Sequence, residues 1–409
     1  VASSARQLVS EQGDLWHSGK IESMQSNHIV YAGKPLTSRQ ICFWKVRIWD
    51  RHNAVSEWST PACFTIGLLH GADWHAQWIG AAPEPPHAGS GDPPIPPSPL
   101  LRKTFRVEKA VRRALLYATA RGDFEIFLNG KRVGENVLAP EWTDFSKRLQ
   151  YQTFEVTNLL QAGGNAMGAM LADGWYAGRI GPVRWDKDFP KRGSYGRDRR
   201  LLSQLEITFA DGTTQRQVTD ASWRLFDDGP IRSADHFLGE SIDANKRQHG
   251  WTHFGFDDRN WQPVHTEPLD EVALVAQKNE PIRVVKSLRP ISVTVPAPGS
   301  ALFDLGQNMV GWCRVRLRAT PAQKVVLRHG GVLDSDGRLF TENLGSAAQT
   351  DTILTDSGDE CVFEPRFTYH GFRYVEITGL QEKPTLEMLA GMVVASDCRR
   401  TSAFECSNA

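Results

Sequence analysis

The segment WCRVRLR, residues 312–318, alternates apolar and charged side chains along its whole length. Cys313, Val315 and Leu317 fall on one side of an extended chain, while the three intervening arginines fall on the other. An antiparallel strand with one face on a core and one face in solvent has this period of two, whereas a helix does not. The segment therefore predicts a half-buried strand.

The segment FWKVRIWD, residues 43–50, has the same alternation. Lys45 and Arg47 share its charged side, and its apolar side carries three residues: Trp44, Val46 and Ile48. Between such runs lie dipeptides that tolerate positive φ and suit tight hairpins: Asn129-Gly130, Asp211-Gly212 and Asp336-Gly337. Because no long stretch shows helical periodicity, the predicted fold class is all-β, arranged as tandem β-sandwich domains.

The charge balance excludes some classes of partner. The chain has 47 basic and 47 acidic residues, so its formal net charge is zero. A nucleic-acid-binding protein usually carries a basic face, and an anionic membrane attracts one too, so we expect neither partner. No apolar run reaches the roughly 18 residues that a transmembrane helix needs, and no signal peptide is visible.

The cysteines are too sparse for a disulfide framework and lack CxxC spacing: Cys42, Cys63, Cys313, Cys361, Cys398 and Cys406. We expect six reduced thiols, which favours a cytoplasmic location over a periplasmic or secreted one. Cys42 and Cys63 flank a predicted hairpin, so a bond between them is the alternative.

Composition divides the chain into four regions: a small sandwich at 1–75, a second domain at 76–280, a further β-sandwich at 281–401, and the start of another domain at 402–409. Within the second region, residues 81–99 are rich in Pro, Gly and Ser. Such a segment cannot pack as a strand, so it predicts an exposed loop or linker.

Motifs of several enzyme classes are missing from the sequence. It contains no phosphate-binding P-loop, no dinucleotide-binding glycine fingerprint, no HExxH and no GxSxG. Acidic residues are plentiful, but spacing along a strand does not show which two carboxylates would face each other across a cleft. No catalytic pair can be named from these residues alone.

The first candidate site lies in residues 120–160. Three apolar residues form one face before the Asn129-Gly130 turn: Phe124, Ile126 and Leu128. Asp123 and Glu125 fall on the opposite face or at the strand entrance. Two carboxylates there are suited to a hard cation such as calcium or to sugar hydroxyls, and the alternative is a solvated strand edge.

The second candidate is LADGWYAGRIGPVRW, residues 171–185, which combines Asp173 with Trp175 and Tyr176. Aromatic rings stack on the apolar side of a pyranose, and a carboxylate accepts its hydroxyls. The alternative is a bulge whose two aromatic rings belong to the core.

A third polar group is divided between two segments, DLGQNMVGW (residues 304–312) and EPRFTYHGFRYVEI (residues 364–377). Its members are Asp304, Gln307, Asn308, Tyr369, His370 and Arg373. Asp304, Gln307 and Asn308 suit a polar site and equally suit turn hydrogen bonds at a strand entrance. Tyr369, His370 and Arg373 lie beside a buried-looking strand, and for the whole group a structural role is favoured over a functional one.

Long motifs in a fixed order then identify a family. Four segments resemble the bacterial α-L-rhamnosidases: LFDLGQNMVGWCRVRLRA (302–319), LRHGGVLDSDGRLFTENL (327–344), FEPRFTYHGFRYVEITGL (363–380) and SDCRRTSAFECSN (396–408). Earlier segments resemble that family's upstream domains: LWHSGKIES (15–23), CFWKVRIWD (42–50), residues 127–157, LADGWYAGRIG (171–181), GESIDANKRQHGW (239–251) and FGFDDRNWQPV (254–264).

The resemblance implies a domain plan and a site. It predicts a fibronectin-III-like sandwich, incomplete at its start, then a jelly-roll domain similar to calcium-dependent rhamnose-binding modules, then a β-sandwich that packs on the catalytic domain. Asp123 and Asp173 are the implied ligands for calcium and sugar. Glu125, Trp175 and Tyr176 are further implied sugar contacts.

The resemblance also implies an activity outside these residues. The family's general acid and base lie in an (α/α)6 barrel that follows the FECSN-type junction, so this chain alone is expected to be inactive. The parent protein is expected to hydrolyse terminal α-L-rhamnose from glycosides or polysaccharides with inversion. Its partners are then a rhamnose-containing substrate and its own barrel. The alternatives are a free-standing rhamnose-binding lectin or adhesin and a purely structural scaffold.

Overall fold

A computed structural model describes residues 1–9, 13–25, 27–88, 92–180, 191–318, 320–356 and 360–407. Strands predominate among these residues and the helices are short, so the all-β prediction is confirmed. No helix in these ranges is long and apolar enough to cross a membrane. The chain divides into two units, Val1–His75 and Ala76–Ala409.

The first unit contains three regular elements in its described part: α1 (Ala5–Val9), β1 (Ile41–Trp44) and β2 (Ala62–Thr65), followed by a 3-10 helix at Gly71–Asp73. Strands β1 and β2 pair antiparallel, and Ala2 adds a bridge to Phe43 on β1. The backbone pairing continues past β1, because Ser59 N donates to Val46 O at 2.8 Å.

The predicted burial of the apolar side of FWKVRIWD is wrong. Trp44, Val46 and Ile48 are 40%, 49% and 67% exposed. On the charged side, Lys45 and Arg47 lie over the ring of Trp58, with 4.6 and 4.4 Å to its centroid. Cation–π contacts therefore shield the charged side, while Trp44 and Val46 line an open cavity together with Trp16 and Tyr31.

The alternative Cys42–Cys63 disulfide does not form. In the β1–β2 register Cys42 lies opposite Phe64, and Cys63 lies opposite Phe43. A register offset by one residue places two side chains on opposite faces of the sheet. Cys42 is buried and Cys63 is exposed, and neither forms a disulfide.

The second unit contains most of the strands: β3 (Trp78–Gly80), β4 (Leu100–Val107), β5 (Val111–Arg121), β6 (Asp123–Leu128), β7 (Lys131–Arg132), β8 (Arg148–Glu155), β9 (Gly163–Ala172), β10 (Arg200–Phe209), β11 (Thr214–Val218), β12 (Arg224–Phe226), β13 (Ile231–Asp235), β14 (Gly239–Asp243), β15 (Gln262–Pro263), β16 (His265–Glu267) and β17 (Ala273–Ala276).

The strands continue with β18 (Ile282–Leu288), β19 (Ser292–Thr294), β20 (Ser300–Leu317), β21 (Lys324–Gly330), β22 (Val332–Leu333), β23 (Leu339–Phe340), β24 (Thr350–Leu354), β25 (Cys361–Phe363), β26 (His370–Thr378) and β27 (Leu389–Ser396). One short helix, α2 (Gly174–Ala177), follows β9 directly. Four 3-10 helices lie in the described connections: Thr157–Leu159, Ala244–Lys246, Glu342–Leu344 and Leu386–Met388.

Two sheets form a sandwich in the first half of this unit. As described, one has the order β16-β3-β10-β5-β8-β17 with β11 beside β10, and the other has the order β15-β12-β4-β9-β6-β7. Phe124, Ile126 and Leu128 of β6 lie in the core between them, as their alternation predicts. The opposite side of β6 is buried as well, so Asp123 and Glu125 do not lie on a solvated edge.

The second half is built around a larger sheet of the order β13-β14-β24-β21-β26-β20-β27-β18, with β19 and β25 beside β20. The segment WCRVRLR lies in β20 as predicted, with Cys313, Val315 and Leu317 buried and its arginines exposed. The hairpin β13–β14 comes from the predicted 76–280 region, yet β14 pairs with β24 in this sheet.

The predicted turns form. Asn129 and Gly130 both have positive φ, 51° and 83°, and connect β6 to β7. Gly212 connects β10 to β11, and Gly337 lies between β22 and β23. The type of turn was therefore encoded locally, because Asn and Gly are the residues that adopt positive φ at low cost.

The prediction that residues 81–99 form an exposed loop or linker is only partly right. Residues 89–91 lie outside the described residues. Residues 85–88 are exposed, but Glu84 accepts two bonds from Arg192, each of 2.7 Å, and Ser98 is buried. Glu84 pairs with the buried Arg192, and Asp92 pairs with the buried Arg179. The described ends of the loop are therefore packed against the unit, while residues 85–88 are exposed.

Candidate functional site

Asp173 lies where β9 passes into α2, and its side chain is completely buried. Arg192 donates to both of its oxygens, with Nε–Oδ2 of 2.5 Å and Nη2–Oδ1 of 3.1 Å. Arg199 adds a second guanidinium, 3.7 Å from Oδ1. Burial alone would lower the pKa of Arg192, but its bonds to Glu84 and Asp173 raise that pKa above its ordinary value. Asp173 is therefore a buried counter-ion.

Asp123 begins β6 and is also buried, but its partner is a histidine. His236, which follows β13, has its Nε2 atom 2.8 Å from Oδ2 of Asp123. Burial raises the pKa of the Asp123 carboxyl, the nearby His236 opposes the shift, and the charge of Asp173 adds to it. The second oxygen, Oδ1, is buried without a hydrogen-bond partner.

A glycine allows α2 to approach this carboxylate. Gly174 has φ of +52°, and a Cβ added there would lie 2.3 Å from Oδ1 of Asp123. A residue with a side chain at position 174 would therefore be strained in its backbone and would clash with Asp123. The structure thus brings Asp123 and Asp173 together on either side of the same helix start, which the sequence spacing did not show.

Trp175 and Tyr176 lie on α2 and point to different neighbours. Trp175 packs against His236, with 4.3 Å between ring centroids. Tyr176 meets Phe145 edge-on at 5.7 Å and stacks with Tyr195 at 6.5 Å. Each ring is half-buried, and the two rings contact different neighbours, so sugar stacking on Trp175 or Tyr176 stays a prediction. Residues 181–185 of this motif lie outside the described residues.

Glu125 has a different environment from the other two acids. Its oxygens are held by Arg132, at 2.9 Å, and by Arg366, at 2.5 Å. It borders an open cleft of about 420 Å³, which we call the Glu125 cleft; its principal lining residues are Glu125, Arg132, Arg283, Trp312, Glu364 and Arg366. Of the five residues predicted to contact sugar, Glu125 is the one that lines this cleft.

The oxygens of Asp123 and Asp173 are mostly occupied by protein donors. Calcium takes about 6–8 oxygen ligands. Both oxygens of Asp173 already accept bonds from Arg192, and the positive charge of Arg199 lies beside them. Asp123 offers a single free oxygen. The residues in this arrangement do not fit a calcium ion, and calcium binding by Asp123 and Asp173 stays a prediction.

Another cluster joins His329, Asp351 and His370, all buried in the larger sheet. Both oxygens of Asp351 lie 3.2 Å from Nε2 of His370. The two imidazole rings stack, with 4.2 Å between centroids and 26° between planes. One ligand atom from each of the three side chains lies within 4.8 Å of the other two, and the hydrogen bond between His370 and Asp351 makes the cluster a packed polar contact. Burial lowers the pKa of His329 to about 3.

The residues that sequence reasoning missed are the cationic partners. Arg192, His236 and Arg366 are far along the chain from the acids they hold. No local pattern marks them, because only the packing of the sheets brings them to these acids. His370 was assigned a structural role, and its burial between strands agrees with that.

Three family models match the chain in order. A Rha78A-like N-terminal immunoglobulin domain matches residues 1–70, an alpha-L-rhamnosidase N-terminal domain matches residues 109–286, and a bacterial alpha-L-rhamnosidase concanavalin-like domain matches residues 295–395. These matches cover both units.

Complete proteins give the same result. An α-L-rhamnosidase of Alteromonas sp. (strain LOR) is 37% identical over 97% of this chain and 42% of its own length. One from Streptomyces avermitilis is 33% identical over 99% of this chain and 54% of its own length. The chain thus spans about half the length of the curated relatives it matches.

Solved structures agree with the fold. The Streptomyces avermitilis α-L-rhamnosidase, crystallised with L-rhamnose, superposes with a TM-score of 0.88 and 32% identity over 97% of this chain and 53% of its own. The α-L-rhamnosidase from Dictyoglumus thermophilum gives a TM-score of 0.87 and 33% identity over 100% of this chain and 45% of its own.

Proposed function

The chain belongs to the bacterial α-L-rhamnosidase family, and from that membership we propose that it forms the non-catalytic β-sheet part of an enzyme that hydrolyses terminal α-L-rhamnose. The observation that carries the proposal is the match of both units, in order, to N-terminal family domains. The substrates are then rhamnose-containing glycosides or polysaccharides.

The buried carboxylates support a non-catalytic role. Inversion requires an acid and a base about 6.5–9.5 Å apart, with room for a water between them. Asp173 is enclosed by arginines, Asp351 is held by His370, and Asp123 is paired with His236. Each of these acids is a partner in a packed contact instead of one half of an open pair.

The relatives' greater length supports a division of labour. Because the chain matches about half of each relative, the catalytic acid and base of this protein are proposed to belong to a further domain. The two units described above would then support that domain and assist in holding the substrate. The proposal that they bind sugar themselves is separate from the proposed activity.

The test is a hydrolysis assay on the protein expressed from its complete gene. We expect release of p-nitrophenol from the α-L-rhamnoside and none from the matching β-D-glucoside. Residues 1–409 alone should release none from either substrate. Activity in residues 1–409 alone, or a complete protein inactive on every α-L-rhamnoside tried, would refute the proposal.

A further inference from the structure

We propose that the Glu125 cleft binds one neutral pyranose ring with an apolar edge, and that this ring is L-rhamnose. The cleft, about 420 Å³ in volume, is roomy enough for a monosaccharide. It lies where β6, β7, β18 and β20 meet the connection that carries Glu364 and Arg366. The identity of the sugar rests on the proposed function, whereas its chemical class rests on the cleft.

The charges of the cleft cancel. Three carboxylates and three guanidinium groups line it: Glu125, Glu135, Glu364, Arg132, Arg283 and Arg366. A net positive site would select an anion and a net negative site a cation, but a balanced set selects neither. It offers a hydroxyl-rich neutral ligand both acceptors and donors.

Two of the three carboxylates, Glu125 and Glu364, are held in fixed orientations. Glu125 is bonded to Arg132 and Arg366, as described above, and Glu364 accepts from the indole Nε1 of Trp312 at 2.9 Å. Charged groups locked in this way lose little side-chain freedom when a ligand arrives. The ligand therefore meets donors and acceptors whose directions are already set.

One donor has no partner. The Nε atom of Arg283 is buried and makes no hydrogen bond, although Nη1 of the same side chain lies 3.1 Å from Asp397. A buried polar atom without a partner is costly, and a bound hydroxyl oxygen would satisfy it. Because Arg283 lines the Glu125 cleft, the proposal assigns an oxygen of the bound sugar as the acceptor for this atom.

Apolar residues complete the lining: Val137, Val284, Pro365 and the buried ring of Trp312. The proposed orientation sets C6 of the sugar against these residues, where a 6-deoxyhexose presents a methyl group and a hexose presents a hydroxyl. An apolar wall favours the methyl, because the hydroxyl would lose its hydrogen bonds to water.

The experiment is an NMR titration of the ¹⁵N-labelled chain with L-rhamnose, followed at the indole N–H of Trp312. A Trp312→Phe variant assigns that resonance. We expect a saturable shift with a dissociation constant of roughly 1–10 mM, which is typical of one sugar ring. L-mannose differs from L-rhamnose by its sixth hydroxyl alone, and we expect it to bind about tenfold more weakly.

Variants locate the binding. Arg283→Gln should weaken L-rhamnose binding about tenfold or more, and Glu125→Gln should do the same. Glu360→Gln is the matched control, since Glu360 is an exposed acid paired with Arg316 outside the cleft. Thermal unfolding of each variant separates a lost contact from a lost fold, and the half-exposed Arg283 keeps the test valid if Glu125→Gln is unstable.

Three results would overturn the proposal: no saturable shift in the unaltered chain, equal binding of both sugars, or binding unchanged by the folded Arg283→Gln variant. Rhamnosidase activity of the complete protein is measured separately. Activity without binding in the cleft would remove this site and leave the proposed function intact. Binding of L-rhamnose in the cleft without rhamnosidase activity would keep this site and remove the proposed function.

Discussion

Asp173 and Glu125 are both acids with two arginine neighbours, but they lie in opposite environments. The side chains of Asp173 and Arg192 have no exposed surface, and Arg199 is 7% exposed. Glu125 is 8% exposed, whereas Arg132 and Arg366 are 27% and 40% exposed. The same triad of charges is therefore sealed in one place and open to water in the other.

The difference teaches that the solvent, more than the residue types, decides what a carboxylate can do. A sealed acid cannot exchange its guanidinium partner for a ligand, because the abandoned charge would have no water to solvate it. An acid whose partners reach solvent can share its oxygens, since water compensates those partners. Asp173 is thereby confined to stability, and Glu125 is free to contribute to binding.

The largest effect is expected on the sealed side. Asp173→Ala removes the carboxylate that pairs with the buried Arg199 and one of the two that pair with Arg192, which keeps Glu84, and we expect a loss of about 3 kcal/mol in the free energy of unfolding. Urea denaturation followed by tryptophan fluorescence measures it. The double variant Asp173→Ala/Arg199→Met should recover part of the loss, because it removes the buried charge whose carboxylate partner is gone and leaves the Arg192–Glu84 pair in place. A loss of unfolding free energy below about 1 kcal/mol in Asp173→Ala would show that Asp173 is no more important to stability than an exposed ion pair.

Glu240 is a third kind of acid beside Asp173 and Glu125, because it is buried and its hydrogen bonds come from backbone N–H groups instead of arginine side chains. Its Oε2 accepts from the N–H groups of Arg366 and Phe367. Burial raises its pKa from 4.5 to about 8, the two backbone bonds and the charge of Arg366 oppose the shift, and Asp351 adds to it. The folded chain thus keeps a proton that the unfolded chain has lost, so stability falls as pH rises between these values.

The Glu240 effect is measurable above pH 6.5, because the lowered pKa of His329 opposes it only below the ordinary histidine value of 6.5. From pH 6.5 to 8 we expect the unfolding free energy to fall by up to about 2 kcal/mol, at about 1.4 kcal/mol per pH unit for one proton. Glu240→Gln should remove that slope. An equal slope in Glu240→Gln would assign the dependence to other groups.

The smallest effect on stability is expected on the open side. Glu125→Gln keeps the shape of the side chain and leaves two arginines that water can reach, so we expect a loss of about 1 kcal/mol. Urea denaturation beside Asp173→Ala gives the direct contrast. A loss as large as that of Asp173→Ala would show that the cleft is sealed in solution, which contradicts its assignment as a binding surface.

Calcium offers a further contrast between the two regions. L-rhamnose binding that survives a chelator and is lost in Arg283→Gln belongs to the Glu125 cleft. Binding that requires calcium and survives Arg283→Gln would instead support the site implied at Asp123 and Asp173.

Strand and turn predictions succeeded where the information is local. The alternation of WCRVRLR predicted the buried and exposed sides of β20, and Asn129-Gly130 predicted the turn between β6 and β7. FWKVRIWD has the same alternation, yet its apolar side is exposed. A period of two defines which side chains share a face, but a second layer must cover that face before it becomes a core.

The sequence by itself determined that the chain is all-β, where its hairpins turn, which family it resembles and which acids to inspect. Only the tertiary structure decided what those acids do. Arg192 lies 19 residues from Asp173, His236 lies 113 from Asp123, and Arg366 lies 241 from Glu125, whose second partner, Arg132, is close along the chain. Local patterns reach across a few residues, whereas burial and ion pairing depend on which distant strands the packed sheets bring together.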